Sequence, residues 1–590
     1  MIHDAYLKRT NTKIRAALDY YAPYIFKTVG EAETVLAMET MDHLRKPPAG
    51  ENMHPIRPGT KWGCEYGNLW LRTSYTVPAE LEGQQLCVIP LANAGEILCF
   101  KNGVPAGIIN SKNHFIGGEH SAMFVSQEAK AGETFDLAFD CYAWHDVLGT
   151  QPYDNFFRDE PVSEDFVRSY EGIKIAVLDK VIRDFVFDTM TVLQLAELPG
   201  ENFAAMRAQK CLTAAFPYLI QDIRSVTEEE IRESAAKVSE LLAPALVKTG
   251  GDRSRGKVAV VGHSHMDTAW LWPVEETIRK CARTYSQVLT YMDMYPDYNF
   301  IQSSALHLDW MREYYPDIFE GIKKRVAEGR YEPNGGVWVE CDCNVTGGEA
   351  MVRQFLYGQR YTMKHLNYKS DSFWLPDTFG YNAAIPQIML GCDVKYFYTT
   401  KMSWADLNKF PVNTFRWRGL DGSEVLTNLF RLQVTPNVKE LNDMALNCTD
   451  KQSCDMALAA YGYGDGGGGP TYGMHEYLKR VTGLDGMPQV EPMSATKFME
   501  EAEEIKEELP VYDGELYLEL HRGTLTTMHE VKKNNRDAEI ALHNLELFNV
   551  LSQKAINESR DTLYNILIKN QFHDILPGTC ITKVYDICIP

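Results

Sequence analysis

The sequence predicts a multidomain α/β protein, and three observations carry that reading. Residues from about 60 to 195 run in short alternating stretches separated by Gly, Asn and Pro turns, as in an antiparallel β-sandwich. From Lys257 the rhythm becomes strand, helix, strand, helix, which means parallel strands joined by helical crossovers, as an open sheet or a barrel. After about residue 495 the chain is largely helical, like part of a bundle. A length of 590 residues allows three or four domains of roughly 100–200 residues, or fewer if one is a barrel. The divisions read from these shifts are 1–250, a β-sandwich with flanking helices; 251–510, a central parallel (β/α) barrel-like catalytic domain; and 511–590, an incomplete helical bundle.

Residues 1 to about 45 carry helix-like spacing, as in "IRAALDYYAPYIFKTV". The alternating runs "LWLRTSYTV", "QLCVIPLA", "EILCFKNGV", "TFDLAFDCYAW" and "IKIAVLDKVIRDFVFD" follow, and "EILCFKNGVPAG" predicts a hairpin, with Asn102 and Gly103 able to take positive φ in its turn. Helix returns at about 200–247, where "SVTEEEIRESAAKVSELLAPAL" opens on a Ser or Thr cap with Glu in the first turn. The polar linker "KTGGDRSRG" marks the next boundary. Beyond it the strand candidates are "VAVVG", "NFIQSS", "GGVWVE", "SFWLPD" and "KYFYTT", alternating with helices such as "PVEETIRKCARTYSQVLTYM" and "GGEAMVRQFLYGQRYTMKHL". Each of these strands ends in candidates for chemistry: His263, His265 and Asp267; Ser303 and Ser304; Glu340 and Asp342; Asp377; Lys401. Active sites of both architectures sit at the C-terminal ends of the strands.

Composition narrows the function. A formal net charge of -21 repels polyanions, which argues against nucleic acid or an anionic membrane as partner and favours a neutral substrate. The first residues hold no apolar core of signal-peptide length, and no run of about 18 apolar residues occurs. Thirteen cysteines, an odd number without regular spacing, suit reduced thiols. A cytoplasmic protein is expected, with self-association left open.

Five stretches carry the candidates for chemistry. In "GHSHMDTAWLW" alternate residues share a face, so His263, His265 and Asp267 are able to line one cavity, and His with Asp suits zinc or a similar divalent ion. The competing role for Asp267 and Thr268 is to cap the helix beginning near Pro273. In "FWLPDTFGYNAAIP" Asp377 stands in an aromatic rim, as a sugar-cleaving site requires of an anion facing a developing oxocarbenium carbon; capping the next helix is its alternative. "YGYGDGGGGPTYG" holds Asp465 among glycines that let backbone approach a ligand, but lacks the spacing and Lys of a phosphate loop, and a surface loop is equally consistent. "NQFHDILPGT" puts His573 and Asp574 near a helix end. In "ECDCN" the cysteines read as packing residues, and Glu340 and Asp342 as the members of interest.

Taken in order, "GHSHMDTAWLWP", "WLPDTFGY", "YGYGDGGGGPT", "ELHRGTLTT" and "NQFHDILPGT" resemble family 38 of the glycoside hydrolases, the zinc-dependent retaining α-mannosidases, and more narrowly its cytosolic and vacuolar, bacterial-like branch. The resemblance implies one Zn2+ per chain held by His265, Asp267, Asp377 and His573, with Trp270 stacking on the bound mannose and His263 left without a ligand role. It implies Asp377 as nucleophile and Asp465 as acid/base, with Asp342, Phe379, Lys401, His521 and Arg522 as further substrate contacts and a mannose-containing oligosaccharide as substrate. Family members normally continue for several hundred residues of β domains, whereas this sequence stops at Pro590. A second reading is therefore a truncated chain that binds mannose or metal without turnover. A third is a barrel amidohydrolase using His263 with His265, which needs further strand-end histidines, whereas His307 and His365 fall in helical stretches.

Overall fold

The computed structural model of the chain describes residues 4–110, 118–145, 166–199, 202–222, 226–552 and 559–588. Helix Asp4–Tyr21 passes into a 3-10 turn, Ala22–Ile25, containing Pro23. Proline offers no N–H to continue a helix. The segment expected to extend it is instead strand Phe26–Glu31, antiparallel to Gly172–Leu178.

Two antiparallel sheets follow, of four and six strands. The larger is built on Asn68–Thr76 and Thr134–Tyr142, paired without a slip from Thr134↔Thr76 to Tyr142↔Asn68. Leu71, Val88, Phe139 and Ile175 share one apolar core drawn from both sheets. The expected hairpin joins Glu96–Lys101 to Val104–Ile109 through Asn102 (φ 52°) and Gly103 (φ 80°).

"DKVIRDFVFD", expected as strand, is the start of helix Lys180–Ala196. Asp179 caps it by accepting from the Val181 and Ile182 N–H groups, and its buried residues, Ile182, Phe185, Val186, Thr189, Met190 and Leu193 among them, recur at helical spacing. Helix Glu228–Leu242 opens on the expected capping box of Thr227 and Glu230.

In the central region the strands form a mixed pair of sheets, not one closed ladder. The first has the order Tyr331–Glu332, Phe300–Ile301, Asp252–His263, Met456–Tyr461, Arg431–Val434, all parallel, with Pro488–Pro492 also paired to Asp252–His263. The second has the order Ser372–Trp374, Tyr396–Thr399, Glu424–Leu429, Thr414–Arg418, Val511–Asp513, with one antiparallel pair. Trp374, Tyr398 and Leu426 of one sheet pack on Ala259, Val261, Met456 and Leu458 of the other, and Phe498 and Met499 join the same core. "GGVWVE", expected as a strand between the sheets, has only the bridge Ser304↔Val337. Close packing takes the place of pairing there: Gly335 lies against the Ser303 carbonyl, and the 338–339 backbone bonds to Gln354, Trp338 N–H to its carbonyl at 3.0 Å and Val339 N–H to Oε1 at 3.2 Å.

Helices His529–Ser552, Ser559–Asn570 and Thr582–Cys588 end the described chain. The turn after Asn570 folds back onto segment 340–342: the His573 N–H bonds to the Glu340 carbonyl (3.1 Å) and the Asp342 N–H to the Gln571 carbonyl (2.8 Å). That return carries a residue from the end of the sequence to the mouth of the first sheet.

Candidate active site

Strand Asp252–His263 gives way to an irregular loop, and the next helix, Val274–Met294, begins behind Pro273. Thr277 Oγ1 donates to the carbonyls of both Asp267 (3.2 Å) and Thr268 (2.8 Å), and the helix has no side-chain cap. Asp267 is therefore free of the capping role. Its Oδ1 lies 2.9 Å from His265 Nε2 and 3.3 Å from His573 Nε2, and the three ligand atoms fall within 4.8 Å of one another. All three residues are buried.

Beyond one another, none of these three atoms has a hydrogen-bond partner among the described residues. Tetrahedral coordination at about 2.0–2.1 Å spaces ligand atoms about 3.3 Å apart, so the trio fits a divalent ion. The opposite faces of both rings are fixed by one residue. Glu340 Oε2 lies 3.0 Å from His265 Nδ1, and the Glu340 backbone carbonyl accepts from His573 Nδ1 at 2.9 Å. Such a partner orients each ring so that Nε2 is the atom turned to the other members of the trio.

Electrostatics point the same way. Burial disfavours charge on His265, but Glu340 and Asp267 outweigh it and raise its pKa well above 6.5. His573, buried too, is raised to about 9 by Asp267 and Asp574, while burial and Asp267 push Asp574 up to about 8. The raised imidazole pKa values register the negative field of Asp267 and its acidic neighbours at this point, a field that a bound cation would also meet.

Asp377 follows strand Ser372–Trp374, and the nearby Ala384 N–H is bonded by Asn382 (2.9 Å), not by Asp377. Its Oδ1 pairs with Lys401 Nζ at 2.7 Å, and its Oδ2 stands 3.9 Å from His265 Nε2. Phe379 stacks on His521 at 4.5 Å, and Lys401 lies over the Phe379 and Trp404 rings. Asp465 adopts φ 59°, its backbone carbonyl accepts from the Asp267 N–H (2.9 Å), and its Oδ1 accepts from Gln433 (3.2 Å). Burial first, then the charges of Asp267 and Asp377, raises the Asp465 carboxyl to about 6. Asp267, Trp270, Asp377, Phe379, Lys401, Asp465, His521 and Asp574 line one cavity of about 850 Å³.

Two expected contacts stand apart from that cavity. Asp342 Oδ1 accepts from the backbone N–H groups of Asn344 (3.0 Å), Val345 (2.6 Å) and Thr346 (3.3 Å), so it builds a turn. Arg522 is exposed and donates to the Glu519 carbonyl (2.9 Å). His263 has both nitrogens occupied, donating to the Ile301 carbonyl (2.9 Å) and accepting from Trp374 (3.3 Å), and His307 meets Thr268 (3.1 Å), which removes the histidines an amidohydrolase centre needs. The sequence did not reveal the double role of Glu340 or the lining roles of Asp574 and Gln433. Glu340 was visible only as a strand-end acid, and Asp574 only as a neighbour of His573.

The loop that presents Trp270 is braced from both sides. His145 of the N-terminal sheets donates from Nε2 to the Leu271 carbonyl (2.5 Å) and accepts from the Tyr142 hydroxyl (2.5 Å), while the Ile581 N–H bonds to the Trp270 carbonyl (2.9 Å).

A His2Asp trio spaced for a metal, beside the carboxylates of Asp377 and Asp465 on a mixed α/β scaffold, defines the class: an α/β protein with a candidate metal centre in its main cavity. The comparisons narrow it. Residues 255–515 match the glycosyl hydrolases family 38 N-terminal domain and residues 519–588 the alpha mannosidase middle domain. The chain belongs to glycoside hydrolase family 38. It is 34% identical to Alpha-mannosidase 2C1 of Mus musculus, over 90% of this chain and 51% of that protein, and 34% identical to Alpha-mannosidase G of Dictyostelium discoideum, over 90% and 48%. The chain thus spans about half the length of these curated relatives. The crystal structure of an alpha-mannosidase from Enterococcus faecalis V583 shares the fold, with a TM-score of 0.50 and 19% identity over 57% of this chain and 40% of that one.

Proposed function

We propose that this chain hydrolyses terminal α-linked mannose from oligosaccharides with retention of configuration, using one zinc ion. The observation that carries the reading is the convergence of His265 Nε2, Asp267 Oδ1 and His573 Nε2, bonded to nothing but one another, at a point where Asp267 and Asp377 line one cavity. When bound, the ion supplies a positive centre that orients sugar hydroxyls. His265, Asp267 and His573 would hold it, with Asp377 Oδ2 as the fourth donor on the open side.

The remaining chemistry belongs to the protein. Asp377 attacks the anomeric carbon as the glycosidic C–O bond breaks, and Asp465, whose carboxyl burial raises to about 6, gives its proton to the departing oxygen. Asp465 then takes a proton from water, whose oxygen attacks the same carbon and releases Asp377. Lys401 positions the Asp377 carboxylate through Oδ1, and Trp270 and Phe379 offer ring faces to the sugar. Among the described residues no helix is long and apolar enough to cross a membrane. A cytoplasmic setting is part of this reading, supported by thirteen cysteines standing as free thiols.

The test is hydrolysis of an aryl α-mannoside by the full chain, with the anomer of the first product read by NMR. Cleavage giving α-mannose, lost with a chelator and restored by zinc, is expected. Chelator-insensitive cleavage would remove the metal from the account. Absence of cleavage by zinc-loaded protein would leave a sugar- or metal-binding fragment.

A further inference from the structure

The turn that presents Trp270 and Leu271 to the cavity is held mainly from outside. The Trp272 carbonyl is met from within the turn, by the Trp270 N–H (3.2 Å). Those of the three preceding residues are met by distant chain: Ala269 by the Cys580 thiol (3.3 Å), Trp270 by the Ile581 N–H (2.9 Å) and Leu271 by His145 Nε2 (2.5 Å). Cys580 and Ile581 lie just before helix Thr582–Cys588, close in sequence to His573. His145 comes from the other end of the chain, three residues past strand Thr134–Tyr142 of the N-terminal sheets.

The surroundings of His145 fix one bond in one direction. The residue is 1% exposed, and the Tyr142 hydroxyl donates to its Nδ1 (2.5 Å), which keeps the ring proton on Nε2, the atom facing Leu271. Burial lowers its pKa below the usual imidazole value, so the ring stays neutral with that single N–H. Tyr66 and Trp144 stack on the imidazole at 4.9 and 5.4 Å. Both of these neighbours are strained. Trp144 has φ 95° and Tyr66 φ 61°, a region bulky residues enter only where the surroundings dictate it, and the Tyr66 N–H is bonded to the Trp144 carbonyl (2.9 Å). Lys280 links the same support to the turn, its Nζ 5.2 Å from the Trp144 ring centre and 4.6 Å from that of Trp272. Backbone strain of this kind persists where a side chain has to be aimed.

We infer that His145 is a positioning residue for sugar binding: through the Leu271 carbonyl it sets the Trp270 ring, so the N-terminal sheets shape the sugar site although none of their described residues lines the cavity. What Trp270 touches rests on the proposed function; that His145 holds it does not.

Fluorine NMR of the full zinc-loaded chain carrying 5-fluorotryptophan tests the second point alone, with the Trp270 and Trp417 lines identified by their loss in the corresponding Trp→Phe variants. In His145→Phe, which keeps an aromatic ring and removes both hydrogen bonds, the Trp270 line is expected to shift and broaden while that of Trp417, buried in the second central sheet, stays in place. On an aryl α-mannoside the same variant is expected to raise KM about tenfold with kcat changed less than about threefold. Adding Trp270→Ala to it should cost less than about twofold more, because the two changes remove one interaction. His145→Gln keeps an N–H for Leu271 and should restore most of the affinity. Tyr142→Phe frees the ring proton to sit on either nitrogen, should raise KM about threefold, and decides the matter if His145→Phe does not fold. An unmoved Trp270 line, a fall confined to kcat, or a Gln variant no better than Phe overturns the inference. A moved line in protein that hydrolyses nothing leaves the positioning of Trp270 standing and removes the proposed activity.

Discussion

Two clusters of buried charge flank the loop from Ser264 to Pro273, and they are built in opposite ways. On one side, Glu96 and Asp140 from the N-terminal sheets meet Glu276, Arg279, Lys280 and Arg283 of helix Val274–Met294, three anions against three cations, all buried. Lys280 lies 2.9 Å from Glu96, and Arg283 2.6 Å from both Glu96 and Glu276. On the other side, Asp267 and Glu340 face imidazoles, and the three candidate ligand atoms converge with no hydrogen-bond partner beyond one another among the described residues. Opposite charges that answer one another tie helix Val274–Met294 to the N-terminal sheets; donor atoms that meet only one another suit a cation. The difference lies in what each charge faces, not in how deeply it is buried.

The largest effect should come from the incomplete side. Asp377→Asn removes the proposed nucleophile, and kcat on an aryl α-mannoside should fall at least about a thousandfold. Stopped assays at high enzyme concentration would check it, and a variant retaining a tenth of the activity would erase the functional meaning of the contrast. Arg283→Met attacks the balanced side. It leaves Glu96 and Glu276 short of a buried cation, which should cost about 3–5 kcal/mol of stability in urea unfolding while bound metal per chain stays unchanged. Loss of metal in that variant would show the two clusters to be one.

Glu332 offers an intermediate case, a buried carboxylate with no cation of its own that accepts from the N–H groups of Ala495 (2.8 Å) and Thr496 (3.3 Å). Burial raises its pKa to about 7. Because the folded value lies above the unfolded one, the stability this group contributes is present in full below about pH 4.5 and is lost as pH rises through 7. Between pH 5 and 8 the native protein should therefore lose on the order of 2–3 kcal/mol relative to Glu332→Gln. Unfolding curves of the two proteins at both pH values decide this. A constant difference would mean that the backbone donors stabilise the ionised form as well as burial opposes it.

The contrast also explains what was legible in the sequence. His265, Asp267, Asp377 and His573 stand out because they are polar residues set beside apolar strands in ordered motifs, and their spacing survives folding. The hairpin at Asn102 and Gly103 and the capping box at Thr227 are local, fixed within four residues. What was hidden depends on distant chain. The periodicity of "YIFKTV" reads as helix until Pro23 ends it and Gly172–Leu178 supplies a pairing edge. "GGVWVE" has strand composition, but its glycines press it against Ser303 and Gln354 takes its hydrogen bonds. Glu340 and Asp342, two residues apart, looked equivalent, and only the return of residues 571–573 separates them.

That last pair gives the finest test of the comparison. Glu340 grips His265 with its carboxylate and His573 with its backbone carbonyl, so a side-chain change leaves half of its work in place. Glu340→Gln keeps an oxygen for His265 Nδ1 but removes the negative charge behind the ring, and zinc affinity should drop about 10–100-fold, measured by competition with a chromophoric chelator. Asp342→Asn is the matched control. Its Oδ1 serves three backbone donors and no metal-facing ring, so the affinity should move by less than about twofold. If both variants weaken zinc equally, the loop as a whole shapes the site. If only Glu340→Gln does, the charge on one carboxylate, passed through an imidazole, is what turns an acidic pocket into a metal centre.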